Sequence, residues 1–148
     1  MMMKPTLTCI LFVLMCRGSI AHFTMTLPSG TTTVGSGNKV KYNTVVDNPT
    51  GSGYNPTTGC FTVVAGTGPA GAGVYSISVS MMSGFDPSHL TIRKGSQVLV
   101  WLYTDKDYNM ASQTINVNLV LADQICVQME TGSDLFDVYN TFSMAKIA

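Results

Sequence analysis

Charge is scarce in this chain. Lys, Arg, Asp and Glu make up 11% of its 148 residues, where an ordinary soluble domain carries about a quarter. Helix bundles and coiled coils cover their outer faces with ion pairs, so this composition argues against both. The eight basic residues lie scattered, with only Arg93-Lys94 adjacent, and a nucleic-acid partner has no electrostatic footprint here. Histidine is limited to His22 and His89. A zinc site wants several His or Cys at fixed spacing, and an activated nucleophile wants a base to pair with; neither pattern is present, which speaks against an enzyme. Long apolar runs are lacking too: Leu7–Cys16 has ten residues, too few to cross about 30 Å of hydrocarbon. Disorder is excluded as well, since 45% hydrophobic residues and a mean hydropathy of +0.25 can support a core.

The N-terminus reads as a targeting segment. Lys4 supplies a positive start, Leu7–Cys16 an apolar stretch, and Ser19-Ile20-Ala21 the small residues that a signal peptidase reads. Residues 1–21 are therefore expected to be a signal peptide cleaved before His22, and the protein to be secreted and extracellular. Losing Lys4 and Arg17 changes the formal charge to 6 − 8 = −2. Cys9 and Cys16 leave as well. Cys60 and Cys126 remain, enough for one disulfide or for two free or intermolecular thiols.

From His22 onward the pattern is that of strands. Tyr75, Ile77 and Val79 alternate with Ser76, Ser78 and Ser80, the period of a strand with one face buried. Asn55-Pro56-Thr57-Thr58-Gly59 supplies turn residues before a strand at Cys60–Val64. Further strands are expected at 22–27, 39–46, 89–93, 112–121, 125–129 and 139–147, with Pro28–Asn38 and Thr131–Asp137 as loops. Gln97–Tyr103 is nearly all apolar and reads as a central strand. Short strands at regular intervals without helical period predict one all-β sandwich over 22–148.

Particular residues then suggest a family. Tyr42, Asn48, Tyr54, Phe61 and the run Gly73-Val74-Tyr75-Ser76-Ile77 stand in a fixed order. Ala122-Asp123-Gln124-Ile125-Cys126-Val127 and Tyr139-Asn140-Thr141-Phe142-Ser143 follow. Together they resemble the signature of the C1q domain family, the globular head of complement component 1q and a relative of tumour necrosis factor. Gly66–Ala72 looks like an insertion, Cys126 replaces a common Trp, and Met144 replaces a Gly. The likeness is to the small secreted, head-only members found in bivalve molluscs. It implies a ten-strand jelly roll of two antiparallel sheets and a homotrimer with apolar contacts near its axis. It also implies lectin-like pattern recognition in innate immunity, with microbial glycans or lipids, or extracellular proteins, as partners. An extracellular or shell-matrix structural protein of the same fold is the rival reading.

Sites are less legible. Asp105, Asp107 and Asn109 place oxygens at alternating positions of one loop, as a calcium ion requires, and some members of the family bind calcium near this loop; a solvated charged loop is the alternative. The family topology puts the strands of Cys60 and Cys126 in different sheets, which favours free thiols or subunit contacts over a bond between them. Phe61, Tyr75, Trp101, Tyr139 and Phe142 are expected in the core rather than on a sugar-stacking platform. Ligand contacts are expected from Pro28–Asn38, Asp47–Gly53, Gly66–Ala72, Thr104–Asn109 and Gly132–Asp137.

Overall fold

The computed structural model describes residues 21–65 and 69–148, and no described residue is helical. The strands in chain order are β1 (His22–Thr26), β2 (Thr31–Thr33), β3 (Thr44–Asp47), β4 (Tyr54–Asn55), β5 (Cys60–Thr62) and β6 (Gly73–Met82). They continue with β7 (His89–Lys94), β8 (Gln97–Tyr103), β9 (Met110–Leu119), β10 (Gln124–Thr131), β11 (Asp134–Phe136) and β12 (Thr141–Lys146). Ten of them form two five-stranded sheets, β3-β1-β12-β6-β9 and β4-β5-β10-β7-β8, while β2 and β11 pair as a short ribbon. All pairings are antiparallel, so the chain is the all-β jelly-roll sandwich its periodicity predicts. Of the expected leader only Ala21 is among the described residues, and its carbonyl accepts Lys146 N at 2.8 Å.

The core fills from both inner faces. On β6 Tyr75, Ile77, Val79 and Met81 are fully buried while the alternating serines face out. The residues that suggested the family are mostly interior ones. Phe23 stacks on Tyr54 at 4.5 Å and meets the edge of Phe142 at 5.0 Å, and Phe61 lies 5.1 Å from Tyr75. Each such ring contributes about 1.5–3 kcal/mol by leaving water. Tyr54 Oη donates to Tyr42 O at 2.8 Å, whereas the buried Tyr42 Oη has no hydrogen-bond partner among the described residues. Burial pushes both phenols well above the ordinary tyrosine range. Asn48 accepts the Ser52 hydroxyl and so closes its turn. At Gly73 any side chain would run into the Ala148 carbonyl and the Lys146 chain, so only glycine permits that approach.

Four expectations are corrected. Gln97–Tyr103 is the edge strand of its sheet, and its apolar sequence reflects aromatic side chains on an open face rather than burial on both. Trp101 and Tyr139 are 51% and 50% exposed, outside the core that holds Phe61, Tyr75 and Phe142. Cys60 and Cys126 lie on neighbouring strands of one sheet, paired in register with Cα atoms 4.5 Å apart, and they are bonded to each other. That separation is within the span a disulfide bridges. Their parity is as expected, on the face opposite Phe61, Ile125 and Val127. The strands Thr31–Thr33 and Asp134–Phe136 arise inside segments expected to be loops, because each supplies the other's backbone partners.

Candidate functional site

Three loops meet at one end of the sandwich. Ser83, fully buried, is the knot: its hydroxyl donates to Lys106 O at 2.6 Å and accepts Asn109 N at 3.1 Å. Its own N–H donates to Asn109 O at 3.0 Å. Gly84 then joins the other two loops, accepting Tyr108 N at 3.1 Å and donating to Asp134 O at 3.0 Å. Thr104 and Ser88 close the base, with Thr104 N bonded to Ser88 O and Ser88 N to the Thr104 hydroxyl. Loops tied this densely by buried polar groups are held in one arrangement.

On this base stand three rings. Tyr108, at a left-handed φ of 54°, meets Phe85 edge to face at 5.7 Å and Phe136 at 5.0 Å. Phe85 is 57% and Tyr108 43% exposed. A non-glycine residue at positive φ carries strain that its surroundings must offset; here it turns a ring toward solvent. Carboxylates occupy the same loops as the rings. Ser133 Oγ lies 2.9 Å from Asp86 Oδ2 and 2.8 Å from Asp134 Oδ2, and Asp105 and Asp107 are exposed beside Tyr108. An apolar platform rimmed by acceptors fits a ligand with one apolar face and hydroxyl donors at its edge.

Two of the loops expected to carry contacts, Thr104–Asn109 and Gly132–Asp137, are thus brought together, and Pro28–Asn38 joins them through the β2–β11 ribbon. Asp47–Gly53 lies elsewhere, with Gly51 against the Pro69 ring of the Gly66–Ala72 segment; residues 66–68 of that segment are outside the described residues. The loop carrying Phe85 was missed. Its signal was present in Ser83-Gly84-Phe85-Asp86-Pro87, a large aromatic inside a turn without strand period.

The candidate calcium residues do not make a cage. Asn109 Nδ2 donates to Asp105 Oδ1 at 2.8 Å, and its Oδ1 accepts Met110 N at 2.9 Å, so Asn109 turns a donor rather than a ligand oxygen to Asp105. Calcium takes about six to eight oxygens, and among the described residues no three His, Cys, Asp or Glu stand close enough to hold a metal ion.

A second aromatic group lies on the open side of the sandwich, where the edge strands β8 and β9 of the two sheets adjoin. Trp101 and Tyr103 alternate on β8, both more than half exposed, and His89 stands edge-on 4.5 Å from Tyr103 and 6.1 Å from Trp101.

The architecture and its signature residues agree with a family comparison. The C1q domain model matches residues 22–144. The chain belongs to the C1q domain family. Solved structures give the same fold at low identity. The globular domain of zebrafish complement 1qA is 16% identical with a TM-score of 0.70, over 87% of this chain and 98% of that one. Murine APRIL is 16% identical with a TM-score of 0.61, over 85% and 99%. Eiger TNF from S. frugiperda is 13% identical with a TM-score of 0.57, over 87% and 92%. No curated protein matches at the level of sequence. Among the described residues no helix is long and apolar enough to cross a membrane.

Proposed function

We propose that this C1q-domain chain is a secreted, self-associating recognition protein of innate immunity, lectin-like, that binds carbohydrate or lipid on microbial surfaces through the loop end. The observation that carries the reading is the pair of exposed rings, Phe85 and Tyr108, held on interlocked loops and rimmed by carboxylates. Rigid aromatics lose little entropy on binding, and carboxylate acceptors select ligands rich in hydroxyl donors. The reading is of binding, with no chemical step assigned and no part for calcium.

Self-association, as a homotrimer, is supported by the open side. Two long edge strands, each paired on one side only among the described residues, with exposed Trp101, Tyr103 and Met110, are a liability unless another surface covers them. Several copies would also raise weak single-site affinity through multivalency. The test is the mass of the purified protein by light scattering, followed by its binding to an array of microbial glycans and lipids. A trimer that binds hydroxyl-rich microbial ligands is expected. A monomer that binds none of them, with the protein recovered instead from decalcified shell, contradicts the reading in favour of a matrix role.

A further inference from the structure

Away from the rings, on the other strand of the β2–β11 ribbon, the chain forms a cavity of about 330 Å³ whose walls include Thr32, Thr33, Asn38, Lys39, Lys41 and Asn43. We propose that this cavity binds one acidic sugar unit, its carboxylate or phosphate held by Lys39 and Lys41. The inference rests on the recognition reading and deepens it.

The first wall is fixed by the core. Val40 and Tyr42 are fully buried, and Val40 N donates to Val127 O at 2.9 Å beside the Lys39–Gln128 bridge. Burial alternates along this segment, so exposed Lys39, Lys41 and Asn43 lie opposite buried Val40 and Tyr42. The second wall is β2, held by β11. Asn38 Nδ2 donates to Val34 O at 3.0 Å and ties the walls together. The volume is at the small end of ligand sites, which run from about 300 to 1,000 Å³, and suits a single sugar rather than an extended chain.

The charge selects the ligand. The ion pairs among the described residues are His22–Asp47, Arg93–Glu130 and Lys94–Asp123, so among those residues neither Lys39 nor Lys41 has an ion-pair partner. Asp134, opposite Thr33 in the ribbon, lies on β11 beside Ser133 and forms no ion pair with either lysine among the described residues. Lys39 and Lys41 thus line one cavity in a chain of formal charge −2 over 22–148, from 6 − 8. Thr32 Oγ1, at the wall, is buried without a hydrogen-bond partner among the described residues, a cost that a ligand hydroxyl would remove. Lysines for an anion and hydroxyl and amide groups for its ring hydroxyls describe a uronic acid or a sugar phosphate. The loop end, rimmed by carboxylates, repels the same group, so the two surfaces divide the ligand between them.

The test titrates the intact protein with methyl glucuronide, glucose 6-phosphate, methyl glucoside and inorganic phosphate, followed by amide shifts and calorimetry. At least one of the two acidic sugars is expected to bind about tenfold or more tighter than methyl glucoside, shifting residues 32–43 and weakening as salt rises. The preferred one names the source, an acidic polysaccharide or a phosphate-bearing polymer. Lys39→Gln with Lys41→Gln, both exposed positions, should lose that preference while the melting temperature holds. Equal binding of neutral and acidic sugars, an unchanged double variant, or phosphate alone binding as well as glucose 6-phosphate overturns the proposal. A protein that takes acidic sugars here but binds no microbial surface contradicts the recognition role and leaves the cavity site standing. One that binds microbes with both assays indifferent to the double variant contradicts the cavity site alone.

Discussion

Across β1, β12, β6 and β9 one outward row runs Thr24, Ser143, Ser78, Thr114, with hydroxyl pairs at 3.0 Å and 2.9 Å. Across β5, β10 and β7 the corresponding row runs Cys60, Cys126, Arg93, and the next holds Gln128, Thr91 and Trp101. Arg93 Nη1 and the Thr91 hydroxyl both donate to Glu130 Oε1, at 2.8 and 2.6 Å. The two sheets share one core, yet one outer face is joined by neutral hydroxyl pairs and the other by a covalent bond, ions and aromatics. Apart from the His22–Asp47 contact at its edge, the hydroxyl face has no disulfide or ion pair among the described residues. Sensitivity to solution conditions therefore concentrates on the disulfide-bearing sheet, and substitutions on the two faces should differ accordingly.

The largest difference should come from the bond itself. It closes a loop of 66 residues, and replacing Cys60 and Cys126 by Ser should cost about 2–5 kcal/mol in denaturant unfolding. An unchanged midpoint would mean that the sheet holds without its staple. Next comes Glu130→Ala, which strands the part-buried Arg93 and Thr91. A loss of about 1.5–3 kcal/mol is expected, and chemical denaturation at two salt concentrations reads it. On the hydroxyl face, Ser78→Ala combined with Thr114→Val should cost only about 0.2–1 kcal/mol; a loss as large as that of the Glu130 variant would erase the contrast.

The smallest effect is one of pH. The hydrogen bond from Lys94, Nζ to Oδ2 at 2.7 Å, holds the Asp123 carboxyl below its ordinary value. A carboxyl whose folded pKa is depressed adds stability above the unfolded pKa and loses it as pH falls through the folded one. Asp123→Asn should therefore flatten the acid side of the stability profile below pH about 4 and leave the neutral region's slope unchanged. An identical acid limb in the variant would contradict that linkage.

How much of this was readable beforehand follows from range along the chain. The β6 alternation is a local property, and Tyr75 to Ser80 fell on the expected faces. The parity of Cys60 and Cys126 is local too. Their adjacency is not, because it depends on which strands become neighbours. Gln97–Tyr103 misled because an apolar run is shared by central strands and by edge strands with an aromatic outer face. The ribbon strands, three residues each, have no period of their own to detect. Lys39 and Lys41 counted as scattered charges until Val40 and Tyr42 were seen to anchor them on one side.

The recognition surface itself is tested most directly by the binding of the intact protein to whole bacteria, compared with a Phe85→Ala, Tyr108→Ala double variant. The account predicts that the variant melts within a few degrees of the parent and binds at least about tenfold more weakly, a loss of roughly 1.4 kcal/mol or more. A folded variant that binds bacteria as well as the parent would contradict the loop end as the contact surface.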